Sequence, residues 1–275
     1  MRGARPIVDP VVEKIYKNFS YHDVELKDYA TIWKEWLTKS TTKTLKGIDR
    51  FSNSDFTNGT SQTFDNFILK HSSKRTIVVL PGEFQYHKCT GRHQSIITSE
   101  AITKNQALII SIPFSDYGTT HPNFHQLLEK CNQLNNPVCL DMAYWGIAKN
   151  INLDLAKYPC ITEITCSLSK PFYSLENHRV GIRFTSSYEN DGISMINEVE
   201  IQNKYSMSLG YYFMKKLSCD FMWDTYEKKY HEVCSNLNLK ETDTVIFGLG
   251  DESYSKYNRG IPNNNRVCIS EKLNK

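Results

Sequence analysis

The sequence predicts an α/β protein with a mostly parallel sheet covered by helices on both faces. Short apolar runs such as RTIVVLPG and ALIISIPF alternate with helical segments from about residue 56 to 185. Strands of this kind are buried on both faces, as in parallel sheets whose crossover helices cover them. The 275 residues, 40% hydrophobic and 23% charged, suit one large domain or two modest ones.

The first 45 residues are expected to form an N-terminal arm followed by a helix. In DYATIWKEWLTK, the residues Tyr29, Ile32, Trp33 and Trp36 recur at helical spacing. A large domain is then expected over residues 46–185. Its predicted elements are, in chain order, a helix at TFDNFILKH, strands at RTIVVLPG and ALIISIPF, a helix at NFHQLLEKCNQL, and strands at NPVCLDMAY, ITEITCSLS and RVGIRFTS.

Residues 186–275 predict a small C-terminal α+β domain. The segment KYSMSLGYYFMKKLSCDFMWDTYEKKYHEVCSNL has a mainly helical pattern. It is followed by the apolar run DTVIFGLG, by a loop rich in glycine and asparagine, and by a last strand at RVCIS. This order of elements differs from the regular alternation of the preceding domain.

Charge and composition argue against several classes of partner. The net charge of +3 is too small for electrostatic binding of nucleic acid. No apolar run has the length of a membrane span, and none follows the basic N-terminus as in a signal peptide. The eight cysteines form no CxxC pair, so we expect no metal site and reduced thiols in a cytoplasmic protein.

Polar residues follow the ends of the predicted strands. Asp141 and Tyr144 come after PVCL, Lys170 comes after ITEITCSL, and Phe84 comes after IVVL. Open α/β sheets bind ligands beyond the carboxyl ends of their strands, so these side chains are expected to share a site. The segment TNGTSQ precedes a helix and is typical of a phosphate-binding turn. Each feature alone also fits an ordinary structural role, such as a turn, a helix cap, a core residue or a solvated side chain.

Two motifs identify a resemblance to a known family. The pattern D-x-A-Y stands at residues 141–144, and S-x-S-K followed by L-x-N-x-R-V-G stands at residues 167–181. With these motifs the chain resembles the fold-type I enzymes that depend on pyridoxal 5′-phosphate (PLP), specifically the class I/II aminotransferases. The resemblance covers about residues 47–184, with a weaker similarity near the C-terminus, and implies a PLP-dependent transferase-like large domain.

The resemblance implies roles for the residues around the PLP ring. Lys170 would form the Schiff base with the PLP aldehyde and move the proton at the substrate Cα, which requires a partly neutral amine. Asp141 would pair with the pyridinium nitrogen and keep the ring an electron sink. Tyr144 would hydrogen-bond the ring hydroxyl O3′, and Phe84 would stack on the ring face.

The resemblance also implies a phosphate cup and a substrate arginine. Gly59, Thr60 and Ser61 would offer N–H and hydroxyl donors to the phosphate, and the cup would be completed by Ser167 and Arg179. Separately, Arg266 in NNNRVCIS resembles the arginine that holds the substrate α-carboxylate. An edge-strand surface arginine is the alternative interpretation of Arg266.

The implied activity is transamination of a small amino acid with a 2-oxo acid, in a homodimer whose active sites lie at the subunit interface. Three departures from the family pattern concern the site itself. FSDYG replaces the asparagine turn near O3′, with Ser115 or Asp116 as a substitute. The spacing from Lys170 to Arg179 is one residue longer than usual. STTKTL stands upstream of KGIDRF, in the place of the tyrosine that a neighbouring subunit lends to the phosphate in the family.

Two other functions stay open at this level. A different PLP reaction of an amino acid, by a decarboxylase, lyase or cyclase, would use the same residues around the cofactor. A non-catalytic α/β binding module is the alternative from another class of protein. The complete set of Lys170, Asp141 and Arg179 argues against the binding module, whereas the region around Ser115 and Arg266 separates the enzymatic alternatives.

Overall fold

The computed structural model describes residues 3–89, 96–98 and 101–274. The helices in these residues are α1 (Pro10–Lys17), α2 (Leu26–Thr38), α3 (Thr60–Ser72), α4 (Tyr86–Cys89), α5 (Phe124–Leu134), α6 (Gly192–Glu198), α7 (Lys204–Lys216), α8 (Phe221–Asn236) and α9 (Ser270–Leu273). The strands are β1 (Thr44–Lys46), β2 (Asn53–Asn58), β3 (Thr76–Val79), β4 (Ile96–Thr98), β5 (Gln106–Ser111), β6 (Val138–Asp141), β7 (Asn152–Asp154), β8 (Ile161–Ser167), β9 (Val180–Thr185), β10 (Lys240–Glu241), β11 (Phe247–Gly250) and β12 (Asn265–Cys268).

The main sheet has the strand order β2-β9-β8-β6-β5-β3-β4. The pairs β8-β6, β6-β5, β5-β3 and β3-β4 are parallel, whereas β9 is antiparallel to both β8 and β2. The prediction of a mostly parallel sheet is therefore confirmed. Every residue of β5 and β6 is buried, which matches the continuous apolar runs that predicted these strands.

Strand β2 is an element that sequence patterning did not predict. Its sequence, NSDFTN, is largely polar and contains no apolar run. It forms because it pairs antiparallel with β9 along its whole length and buries Phe56 against the core. Gly59 follows β2 directly, so this strand positions the turn before α3.

The N-terminal arm contains a short helix and lies against its own chain. Helix α1 begins at Pro10, and the carboxylate of Asp9 accepts hydrogen bonds from the backbone N–H groups of Val11 and Val12. The Tyr226 hydroxyl donates to Asp9 over 2.6 Å. The predicted helix DYATIWKEWLTK is α2, whose apolar face packs against α7 and β2.

The C-terminal part combines α7 and α8 with the antiparallel sheet β10-β11-β12. This agrees with the α+β composition expected after residue 185. The division at residues 45 and 185 into an arm, a large domain and a small domain stays a prediction.

Seven free cysteines lie in the described residues; six of them are buried, while Cys268 is partly exposed. The side chain of Cys89 lies outside the described part of the chain. Within residues 3–89, 96–98 and 101–274, no cluster of three His, Cys, Asp or Glu side chains could hold a metal ion. None of the described helices is both long and apolar enough to cross a membrane.

Candidate active site

A cavity of about 340 Å³ lies at the carboxyl edge of the main sheet. Nine of the eleven predicted site residues line this cavity: Thr60, Ser61, Phe84, Ser115, Asp141, Tyr144, Ser167, Lys170 and Arg179. Its volume falls in the range of about 300–1,000 Å³ that is usual for small-molecule sites. The tenth residue, Gly59, directly precedes the lining residue Thr60, and the eleventh, Arg266, lines an adjoining cavity.

The topology of the sheet explains why these residues converge. Asp141 ends β6 and Ser167 ends β8, and these strands are parallel neighbours. Strand β9 runs in the opposite direction, so Arg179, which precedes it, lies at the same edge. Strand β2 pairs antiparallel with β9 and brings Gly59 to that edge as well. Residues as far apart in the chain as Thr60 and Arg179 thereby line one cavity.

The N-terminus of α3 and Arg179 form one end of the cavity. Gly59 adopts φ 75° and ψ 175°, a conformation almost restricted to glycine, and no side chain of the described residues caps α3. The first N–H groups of α3 are therefore available to an anion. Arg179 Nη2 donates to Ser61 Oγ over 2.7 Å, so its guanidinium lies beside this helix end. Ser167 Oγ lies 3.1 Å from the Val180 carbonyl oxygen.

The Lys170 amine is directed toward the N-terminal arm. Its Nζ donates a hydrogen bond to the carbonyl oxygen of Ala4 over 3.0 Å. Burial lowers the pKa of Lys170, and the charges of Arg179 and Arg266 act in the same direction, whereas Glu176 opposes them. Lowering of this pKa increases the neutral fraction of the amine, which is the nucleophilic form.

Asp141 and a second acid, Glu83, are buried at the same edge. The backbone N–H of Ala143 donates to Asp141 Oδ1 over 2.8 Å. Burial raises the pKa of Asp141 to about 7, and the charge of Glu83 adds to this effect. Glu83 accepts hydrogen bonds from the Ser111 hydroxyl and backbone N–H, and burial raises its pKa to about 6. Sequence reasoning missed Glu83, although its position after a buried strand and a Pro-Gly turn is a usable signal.

Ser115 and Asp116, the two candidates in FSDYG, point in different directions. Ser115 lines the cavity and is 1% exposed, and its hydroxyl has no hydrogen-bond partner among the described residues. Asp116 is absent from the cavity lining, because Asn264 holds it by donating to its carbonyl and carboxylate oxygens. A buried hydroxyl without a partner is unfavourable unless a ligand satisfies it.

Aromatic side chains contribute to the lining of the cavity. Phe84 is 41% exposed and stacks against Tyr86, with ring centroids 5.9 Å apart. Tyr86 also lines the cavity and donates to Asp65, a contact that sequence reasoning did not anticipate. The Tyr144 ring meets Phe247 edge-on at 5.4 Å. Burial raises the pKa of Tyr144, so this hydroxyl stays protonated at neutral pH and can donate.

A second cavity adjoins the first and contains Arg266. The two cavities share Phe84, Tyr144 and Lys170. Arg266 is 2% exposed, donates to the Ser115 carbonyl oxygen, and lies with its guanidinium carbon 4.1 Å from the centre of the Phe247 ring. Strand β12 is the edge strand that the alternative interpretation assumed, but Arg266 is buried and not a surface residue.

Comparison of the sequence with known proteins gives no match, either among protein-family models or among curated proteins. Solved structures, by contrast, match over nearly the whole chain. Tyrosine aminotransferase from Leishmania infantum has a TM-score of 0.65 at 15% identity, covering 99% of this chain and 89% of its own. Aromatic-amino-acid aminotransferase from Burkholderia pseudomallei, covalently bound to pyridoxal phosphate, has a TM-score of 0.65 at 12% identity, covering 99% and 88%.

A lyase is among the similar structures as well. The PLP-bound C-S lyase from Staphylococcus hominis has a TM-score of 0.65 at 13% identity, covering 90% of this chain and 73% of its own. At these identities the likeness shows a shared fold, and the fold is common to enzymes of different reaction types.

Proposed function

We propose that this chain, which has the fold of the fold-type I PLP-dependent enzymes, binds PLP and catalyses transamination of amino acids. The observation that carries the proposal is the convergence of three groups on one cavity. These are the Lys170 amine, the Asp141 carboxyl group and the Arg179 guanidinium, which come from the ends of different strands. Each matches one functional group of PLP: the aldehyde, the pyridine nitrogen and the phosphate.

The described residues fit PLP at both ends of the cavity. The uncapped N-terminus of α3 and Arg179 suit a dianionic phosphate, because both supply donors and positive charge. Asp141 is a buried acid with one oxygen held by the Ala143 N–H. The unpartnered hydroxyl of Ser115 lines the same cavity and suits the ring hydroxyl O3′. The cavity therefore offers PLP positive charge at the phosphate, an acid for the pyridine nitrogen and a hydroxyl for O3′.

The residues around the cofactor would have different roles in the reaction. When bound, PLP supplies an electron sink for the bond that breaks at the substrate Cα. Asp141 holds a proton on the pyridine nitrogen, while Phe84 and Tyr86 provide an aromatic surface along the cavity wall. Lys170 takes and returns the proton at the substrate Cα, which its lowered pKa favours.

Arg266 is proposed to bind the substrate α-carboxylate. It is buried beside Tyr144 and Lys170, and its fork-shaped guanidinium can make two parallel hydrogen bonds to a carboxylate. Its contact with the Ser115 carbonyl and its position over Phe247 hold the guanidinium in place before substrate binds. The second cavity thus becomes the substrate site, next to the cofactor site.

A lyase reaction is the second candidate, since a C-S lyase shares this fold. The same residues would hold the cofactor, and the choice of reaction depends on which Cα bond is aligned with the ring. Transamination requires a 2-oxo acid to complete the cycle, whereas a lyase reaction does not. This difference separates the two candidates.

A homodimer is the proposed assembly. It is supported by the resemblance to enzymes whose active sites lie at subunit interfaces. Large apolar side chains are also exposed around α6: Met195, Val199 and Ile201 are each more than half exposed. Sedimentation analysis of the purified protein is expected to give a mass of about twice 31.8 kDa. A monomer with full activity would contradict this assembly.

The test of the proposed function is covalent capture of the cofactor. After PLP loading and borohydride reduction, mass spectrometry is expected to find the pyridoxyl group on the peptide that contains Lys170. Lys157, a lysine elsewhere in the large domain, serves as the internal control and should stay unlabelled. Label confined to lysines other than Lys170 would refute the assignment.

Amino acid turnover tests the reaction type. The loaded protein is expected to convert an amino acid into its 2-oxo acid, with pyridoxamine phosphate as the other product. A second 2-oxo acid should then restore the starting form. Consumption of amino acid without pyridoxamine phosphate would replace transamination by the lyase candidate.

A further inference from the structure

The second cavity contains a further arginine, Arg259, in addition to Arg266. Its lining in the described residues consists of Gly3, Ala4, Phe84, Gln85, Tyr144, Lys170, Asn258, Arg259 and Arg266. This lining has three cationic side chains and no acidic one. Lys170 and Arg266 are already assigned to the cofactor and to the substrate α-carboxylate, so Arg259 is the cation that remains.

Arg259 is buried but weakly paired. Its side chain is 8% exposed, and its Nη1 lies 3.5 Å from Asp116 Oδ1 without a hydrogen bond. Arg183 shows what a structural arginine looks like in this protein. It donates to Asp55 over 3.0 and 2.7 Å and to Asp191 over 2.6 Å. Arg259 Nη1 has no such partner among the described residues, although it is a strong donor in a buried position.

Asp116 does not depend on Arg259 for its position. Asn264 Nδ2 already donates to its carbonyl oxygen over 2.8 Å and to Oδ2 over 3.0 Å. The guanidinium groups of Arg259 and Arg266, by contrast, repel each other electrostatically. Burial lowers the pKa of Arg259, and the charge of Arg266 acts in the same direction. An anion placed between Arg259 and Arg266 would relieve both the repulsion and the missing hydrogen bond.

We infer that Arg259 is a specificity-determining residue and that the preferred substrate is an amino acid whose side chain carries an anionic group. This inference rests on the proposed function, because it places the substrate amine at the PLP cofactor held by Lys170 and the α-carboxylate at Arg266. The side-chain anion would then bind Arg259 in the same cavity. A carboxylate and a phosphate share the required chemistry, because either can accept two hydrogen bonds from the guanidinium fork.

The test compares acidic substrates with neutral counterparts on the PLP-loaded protein. L-aspartate is paired with L-asparagine, L-glutamate with L-glutamine, and O-phospho-L-serine with L-serine, and kcat/KM is measured for each. The wild type is expected to prefer an acidic member by about 30-fold or more, as for a buried charge pair. Preference for aspartate or glutamate identifies a carboxylate side chain, and preference for phosphoserine identifies a phosphate.

Two variants separate recognition from a structural role. Arg259→Gln is expected to reduce the acidic-to-neutral ratio by about 30-fold. Asp116→Asn removes the charge behind Arg259 while retaining the acceptor for Asn264, and it is expected to keep or increase the ratio. A wild type that prefers neutral substrates, or a ratio unchanged in Arg259→Gln, would overturn the inference. Equal loss of the ratio in both variants would do so as well.

A binding measurement without PLP keeps this inference separate from the proposed function. Calorimetric titration of the cofactor-free wild type with succinate and propionate is expected to show tighter binding of the dicarboxylate. Arg259→Gln should abolish that difference. Labelled Lys170 together with a flat substrate ratio would leave the proposed function intact and refute the role of Arg259. Tighter succinate binding that requires Arg259, in a protein that fails to capture PLP, would support the anion site and refute the proposed function.

Discussion

Arg179 donates from Nη2 to the hydroxyl of Ser61 over 2.7 Å, which links the residue before β9 to the first turn of α3. The contact depends on the glycine that precedes the helix. A Cβ atom built on Gly59 would lie 2.8 Å from Arg179 Nη2. The close approach of this glycine and the guanidinium therefore shapes the proposed phosphate cup.

Gly59→Ala is the first variant that tests this geometry. The added methyl group would displace the Arg179 guanidinium, and the backbone conformation at residue 59 would become strained by about 1–3 kcal/mol. We expect weaker PLP binding and a lower unfolding free energy, measured by fluorescence titration and urea denaturation. Gly192→Ala is the matched control, because no atom lies within 4 Å of its added Cβ. Equal PLP affinity and equal unfolding free energy in the two variants would contradict the proposed phosphate cup.

Substitution of Arg179 should affect cofactor binding, whereas substitution of Arg266 should affect substrate turnover. Arg179→Ala is expected to weaken PLP binding, because it removes a charged donor from the phosphate end of the cavity. Arg266→Lys is expected to retain PLP yet lower kcat/KM for amino acids by about 30-fold or more, since the two-pronged carboxylate contact is lost. Cofactor titration and steady-state kinetics on both variants measure the two effects. Undiminished turnover in Arg266→Lys would remove Arg266 from the substrate site.

The Ser115→Ala variant is expected to change the stability of the protein and its affinity for PLP in different ways. In the cofactor-free protein, Ser115→Ala removes a buried hydroxyl that has no partner in the described residues, so stability should be unchanged or higher. PLP affinity should fall by about 3- to 10-fold, the effect of one hydrogen bond. Ser111→Ala is the control, because its hydroxyl donates to Glu83 and accepts from the Ser115 N–H. That control should lose stability, and a stability loss in Ser115→Ala would contradict the assignment.

The raised pKa of Asp141 predicts that the stability of the protein depends on pH. Its pKa is about 7 in the folded protein against an ordinary value of 3.8, because burial penalises the charged form. Between pH 3.8 and pH 7 the folded state therefore holds a proton that the unfolded chain releases. Relative to low pH, the free energy of unfolding falls as pH rises through this range, because deprotonation leaves a buried charge in the folded state. Glu83, with a pKa of about 6, acts in the same direction.

The corresponding variant is Asp141→Asn in the cofactor-free protein. Its unfolding free energy relative to wild type is expected to rise by a few kcal/mol between pH 4 and pH 7, at up to about 1.4 kcal/mol per pH unit. Urea denaturation at pH 4.5, 6 and 8 measures this difference. A difference that stays constant over this range would show that Asp141 titrates normally. After PLP loading, the same variant should bind the cofactor but lose most of its activity.

Local patterns in the sequence were sufficient for much of the fold and for most of the cavity lining. The runs that became β3, β5 and β6 are largely apolar, and β8 is rich in β-branched residues, because these strands are buried on both faces. Strand ends could therefore be located, and with them Phe84, Asp141 and Lys170, whereas Ser167 came from the family resemblance. The motif at residues 167–181 likewise singled out Arg179, which lies at the same edge because β9 runs antiparallel to β8.

Only the tertiary structure decided the contacts between distant segments. The polar strand β2 exists because it pairs with β9, more than 120 residues away. Ser115 faces the cavity while Asp116 faces Asn264. This arrangement depends on a contact between residues that are 148 positions apart in the chain. The Ala4 carbonyl at Lys170, the burial of Glu83 and the pairing distance of Arg259 likewise depend on long-range packing. Periodicity reports which face of an element is buried, whereas the partner of a buried polar group is set by the whole fold.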